Sequence, residues 1–78
     1  MHAVVLLKLK PPYTTDLMHS FKDIDAISEA SLIHGPYDCM IKLAADRIES
    51  LNEIVGKIRE MKGVEDTMSC LVVHSWMR

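Results

Sequence analysis

The chain has 78 residues, a formal net charge of −2, and 49% apolar residues that include one Trp, one Phe and two Tyr. That length holds one domain with an aliphatic core, marginal on its own, for which association with further copies is a natural support. The charge provides no basic footprint for nucleic acid, and no apolar run reaches the ~18 residues that cross a bilayer. The start of the chain lacks the charged segment and small-residue cleavage site of a secretory signal, so a cytoplasmic protein is expected.

In chain order, Ala3 to Lys10 (AVVLLKLK) reads as a strand, stopped by Pro11-Pro12 because proline cannot donate to a ladder. Thr14 or Thr15 can cap a first helix, with Asp16 suited to its positive N-terminus. Leu17, Phe21 and Ile24 recur there at helical spacing, with Met18 beside them. Ala26 to Ile33 (AISEASLI) alternates as a second strand. His34-Gly35-Pro36-Tyr37-Asp38 carries a Gly-Pro turn signal, and Tyr37 to Ala45 continues as the third strand. Asp38 at its mouth is open to two readings, a turn anchor or a functional acid, because Asp is depleted in strands but favoured in Asx turns.

The second helix is expected from Asp46 at the cap, with Glu49 three residues on in a capping-box-like arrangement. Ile48, Leu51, Ile54, Val55, Ile58 and Met61 form its apolar stripe, and its cations gather near the C-terminal end. Gly63 fits a left-handed stop, and Gly56 inside the helix costs about 1 kcal/mol relative to Ala. Val64 to Ser75 supplies the last strand.

Displacing the first half by 37 residues brings Leu17 onto Ile54, Phe21 onto Ile58 and Ile27 onto Val64, so both halves read strand–helix–strand. Two such units give an α+β, ferredoxin-like βαββαβ domain over residues 1–78, a four-stranded antiparallel sheet with both helices on one face. Each strand carries apolar residues on both faces, so the bare face calls for a second copy and a dimer is expected through the sheet.

Other chemistry is thin. Cys39 and Cys70 lie in apolar strand-like runs and are expected as reduced, buried thiols. His2, His19, His34 and His74 share no ligand spacing with each other or with a Cys or Asp, so neither a metal nor any other cofactor is expected. No nucleophile–base pair is legible, and the chain is not expected to be an enzyme.

The element order, Gly-x-Tyr-Asp at Gly35 to Asp38, the helix segment Leu51-Asn52-Glu53-Ile54-Val55, and Gly63-Val64 followed by Thr67-x-Ser69 before Leu71-Val72-Val73 resemble the effector domain of the Lrp/AsnC regulators. The resemblance covers nearly the whole chain. Ser69 stands where the family often has Thr, which keeps the hydroxyl. Those regulators also carry an N-terminal helix-turn-helix. This chain starts at the first strand, so a stand-alone effector domain with no DNA-binding domain and no direct nucleic-acid contact is expected. The resemblance implies dimers assembled into octameric or decameric rings, amino acids bound in clefts between dimers, and full-length regulators as partners. Beside it, the residues suit an amino acid. Gly35 allows close backbone approach with free amides for a carboxylate. Asp38 suits an ammonium group, the Thr67 and Ser69 hydroxyls suit orientation, and Tyr37 is either a contact or a packing residue. A different class is a small cofactor-free ferredoxin-like monooxygenase or isomerase, with an apolar pocket between sheet and helices and His2, His34 or His74 as acid or base. A third reading is a structural partner of full-length regulators that binds nothing small.

Overall fold

The computed structural model describes all 78 residues, Met1–Arg78. The elements are β1 (His2–Leu9), a 3-10 turn (Pro11–Tyr13), α1 (Thr14–Phe21), β2 (Ile27–Leu32), β3 (Cys39–Ala44), α2 (Ile48–Arg59) and β4 (Val64–Leu71). The strands form one antiparallel sheet in the order β2-β3-β1-β4. This is the expected ferredoxin-like architecture, with α1 against β2 and α2 against β4.

The register on β1 explains the layering. Paired residues of antiparallel strands share a face. Leu32, Cys39, Leu7 and Thr67 form one row across the sheet, and Ala30, Ile41, Val5 and Ser69 form the next. Those rows face the helices, where Val5, Leu7, Cys39, Ile41 and Leu43 are fully buried with Phe21 and Ile58. The other face carries Ser31, Met40, Leu6 and Met68 in one row and Glu29, Lys42, Val4 and Cys70 in another. Val4, Leu6 and Met40 there are only half-buried, and Met68 is 46% exposed. An apolar band thus lies open on the side away from the helices.

Several element ends differ from the sequence expectation, for local reasons. Neither helix has a side-chain N-cap. Tyr13 occupies that position in α1, because the Pro11-Pro12 turn feeds straight into it, and Arg47 rather than Asp46 does so in α2. The third strand starts at Cys39 rather than Tyr37, since Ile33 to Asp38 form the connecting loop, closed by Ile33 N–H donating to Asp38 O at 2.9 Å. The last strand ends at Leu71. Val72 N–H still donates to His2 O at 2.9 Å, and beyond it Val73, Trp76 and Met77 are largely exposed, with the Arg78 guanidinium 4.9 Å from the Trp76 ring centroid. Of the two thiols expected to be buried, Cys39 is and Cys70 is not, because Cys70 sits on an edge strand and on the uncovered face. No helix is long and apolar enough to cross a membrane.

Gly63 has φ +100°, and a Cβ there would lie 2.4 Å from the Tyr13 Cβ. Both the backbone and the space demand glycine, so Gly63→Ala is expected to cost about 2 kcal/mol or more in urea unfolding. A Cβ at Gly56 would meet nothing within 4 Å, so Gly56→Ala is expected to add about 0.5–1 kcal/mol.

Burial pushes the Cys39 thiol above its ordinary value of 9.0, and the nearby Asp38 charge pushes it further up, against a backbone hydrogen bond from Ser31 that pulls it down. The sign follows from linkage: the unfolded thiol ionises first, so its contribution to stability is complete below pH 9.0 and is lost as pH rises through the raised folded value. Unfolding free energies of the protein and of Cys39→Ala, measured between pH 7 and pH 10.5, are expected to show a steeper alkaline decline in the unsubstituted protein. At pH 8, iodoacetamide is expected to label Cys70 well before Cys39.

Candidate functional site

The Gly35–Asp38 turn lies at the end of the sheet where β1 finishes and β3 begins. Asp38 is its best-tethered residue. Its N–H donates to Leu7 O at 2.8 Å, and its carboxylate Oδ2 accepts from Leu9 N–H at 2.9 Å. The pairing of β1 with β4 shifts between Lys8 and Leu9, so Leu9 N–H sits at an irregularity in the ladder. The Asp38 carboxylate takes up an amide left there, which is a structural task for this acid. Oδ1 makes no hydrogen bond within the chain, and the residue is exposed.

Gly35 is exposed at the loop, with open space where a side chain would project. Tyr37 turns toward the uncovered face of the sheet. Its hydroxyl reaches Met68 Sδ at 3.9 Å, and the Lys8 ammonium stands 5.8 Å from its ring centroid. Thr67 and Ser69 pair with Leu7 and Val5, which places both on the helix side of β4. Thr67 Oγ1 accepts from Arg59 Nε, in the last turn of α2, at 3.2 Å. The five residues singled out from the sequence therefore do not converge within one chain. Gly35 and Asp38 sit at the sheet end, Tyr37 on the open face, and Thr67 with Ser69 on the opposite face.

Two contacts at this end escaped the sequence reading. Lys8, near the end of β1, lies over the Tyr37 ring, and Arg59, in the last turn of α2, binds Thr67. Only a cation in the last turn of α2, four residues before Gly63, hinted at the second, since such a side chain can reach the strand that follows. Within one chain the sheet end offers a carboxylate oxygen with no hydrogen bond and an exposed glycine turn, while the aromatic ring and the two hydroxyls stand on opposite faces.

Comparison with known proteins bears on the domain as a whole. A family model for the Lrp/AsnC ligand binding domain matches residues 2–78. Among solved structures, a protein from Thermus thermophilus superposes with a TM-score of 0.89 at 24% identity, covering 99% of this chain and 98% of that one. AsnC of E. coli superposes with a TM-score of 0.90 at 20% identity, over 99% of this chain and 54% of its own. A transcriptional regulator of Neisseria meningitidis, in complex with L-methionine, superposes with a TM-score of 0.91 at 14% identity, over 99% and 52% respectively. Among curated proteins, the homocitrate synthase of Saccharolobus solfataricus is 36% identical over 61 residues, which is 78% of this chain and 13% of the synthase. The chain thus spans about an eighth of the length of the curated relatives it matches. With the family model running from His2 to the last residue, the chain belongs to the Lrp/AsnC ligand binding domain family.

Proposed function

We propose that this domain binds a small effector, an α-amino acid, at the Gly35–Asp38 end of the sheet, and that it does so as a dimer assembled further into octameric or decameric rings. The observation that carries this reading is Asp38. One carboxylate oxygen is committed to Leu9 N–H, which fixes the side chain, and the other is free and exposed for an ammonium group. Gly35, with open space around it, leaves room for the ligand carboxylate to approach backbone amides. Because Tyr37 and the Thr67–Ser69 pair lie on opposite faces, one chain does not present all of them to one small molecule. A cleft between two copies does, with each copy supplying part of the set. Membership of a ligand-binding family and a structural neighbour bearing L-methionine support a small-molecule effector.

Assembly follows from the uncovered face. The band of Val4, Leu6, Met40 and Met68 is the surface a second sheet buries. The matched stretch makes up about half of the regulator neighbours and about an eighth of the synthases, which supports a portable sensing module that reports through a larger body, including full-length regulators of transcription. The chain alone is then neither an enzyme nor a sequence-specific DNA binder. The alternative of a small monooxygenase or isomerase needs a hollow between sheet and helices. The centre of that layer is filled by Leu7, Phe21, Ile41, Leu43 and Ile58, and the groove at its edge between α1 and β2 is lined by none of His2, His34 and His74, which favours binding over turnover.

Titration calorimetry against a panel of amino acids, with light scattering alongside, tests the reading. A dimer is expected as the smallest folded species, with at least one amino acid bound. Asp38→Ala is expected to weaken binding by about 1.5–3 kcal/mol, the range for a hydrogen bond to a charged group. It also leaves Leu9 N–H without its acceptor, at a cost in stability of about 1–2 kcal/mol. Asp38→Asn keeps an acceptor for Leu9 and so retains most of the stability while losing the affinity. Unchanged affinity in folded Asp38→Asn would place the ammonium elsewhere.

A further inference from the structure

Leu32 ends β2 in the row of Cys39 and Leu7, and so faces the helix layer, yet it is 54% exposed. The reason is that α1 has only eight residues and does not close over the edge strand. A groove of about 490 Å³ runs between the two, with Met18, Phe21, Ala30 and Leu32 among its apolar walls. That volume falls within the roughly 300–1,000 Å³ of small-molecule sites. His19 and Lys22, three residues apart and so on one side of α1, stand at its rim. Glu29 also borders it, but its carboxylate is engaged by Lys42 at 3.8 Å, the chain's single ion pair, and Lys22 has no acidic partner. The groove therefore combines apolar walls with an uncompensated cation, in a chain whose net charge is negative. Thr14 and Lys22 both line it and are separated by about 12 Å along the helix axis, at 1.5 Å per residue, the length of a medium-chain carboxylate.

We propose that the α1–β2 groove is a second ligand site, for an aliphatic carboxylate whose chain lies against Met18, Phe21, Ala30 and Leu32 while its head meets Lys22 and His19. The site uses none of the residues at the Gly35–Asp38 end and does not depend on an amino acid binding there.

Octanoate, with 1-octanol as the uncharged control, is the probe, followed by amide chemical shifts on the intact chain. Saturable shifts are expected at His19, Lys22, Ala30 and Leu32, with octanol binding at least several-fold more weakly. Lys22→Ala is expected to weaken octanoate about tenfold, in line with loss of one charged contact. Ala30→Phe, which fills the groove, is expected to abolish the shifts while circular dichroism stays unchanged. Equal binding of octanol, an unaffected Lys22→Ala, or shifts confined to the open sheet face would overturn the proposal. So would groove amides that move on dilution without octanoate, which would assign the groove to a contact between copies. Amino-acid affinity measured on Lys22→Ala separates this outcome from the fate of the Asp38 site, since that affinity is expected to be unchanged.

Discussion

The domain depends on β1 being apolar on both sides while lying inside the sheet. Val5 and Leu7 point to the helices and are fully buried, whereas Val4 and Leu6 point the other way and are half covered. A strand of this kind supports a sheet sealed by two helices on one side only if something covers the other. β3 repeats the pattern with Ile41 and Leu43 against Met40, interrupted by Lys42. β2 and β4, at the edges, are more polar: β2 carries Ser28, Glu29 and Ser31, and β4 carries Glu65, Asp66, Thr67 and Ser69. The centre of the sheet is thus apolar on both faces, and its margins are polar.

Asp38 ties the turn to the sheet with one side chain. It closes the mouth between β1 and β3 and satisfies the Leu9 amide beside the ladder irregularity. An amide unpaired at that place would cost more than an ordinary surface hydrogen bond contributes. A ligand taken by the free oxygen would act on the same carboxylate that holds this irregularity, and Lys10, one residue further on, donates to Gly63 O at 2.8 Å. Leu9 and Lys10 thus link the turn to the junction of α2 and β4.

The order of elements, both helices and the left-handed Gly63 were legible in the sequence because each rests on a local pattern: a period of two, a period near 3.6, a lone glycine after the last apolar position. Element ends were less legible. Thr14 and Asp46 look like caps, but a proline turn and the extended backbone of Arg47 set the two starts. The burial of Cys70 was misread because alternation reports two faces without saying that one of them is bare. The candidate residues at Gly35 to Asp38 came from a turn signal and a family likeness. What Asp38 does within the fold was hidden, because its partner Leu9 lies 29 residues away in sequence. The opposed faces of Tyr37 and Thr67 follow from strand register, and no single-strand pattern encodes that.

The Glu29–Lys42 pair sits on the open face beside its apolar band, each side chain about half exposed at 48% and 49%. On a free surface such a pair contributes little. Pressed between two sheets it loses water, and then its surroundings on the opposing subunit decide whether that loss is tolerated. A second copy of the chain laid on this face would bring its own neutral pair. A paralogue with a lone acid or a lone base at either position would strand a charge. The pair would then make burial of this face sensitive to the charges of whatever covers it, where the apolar band alone would not.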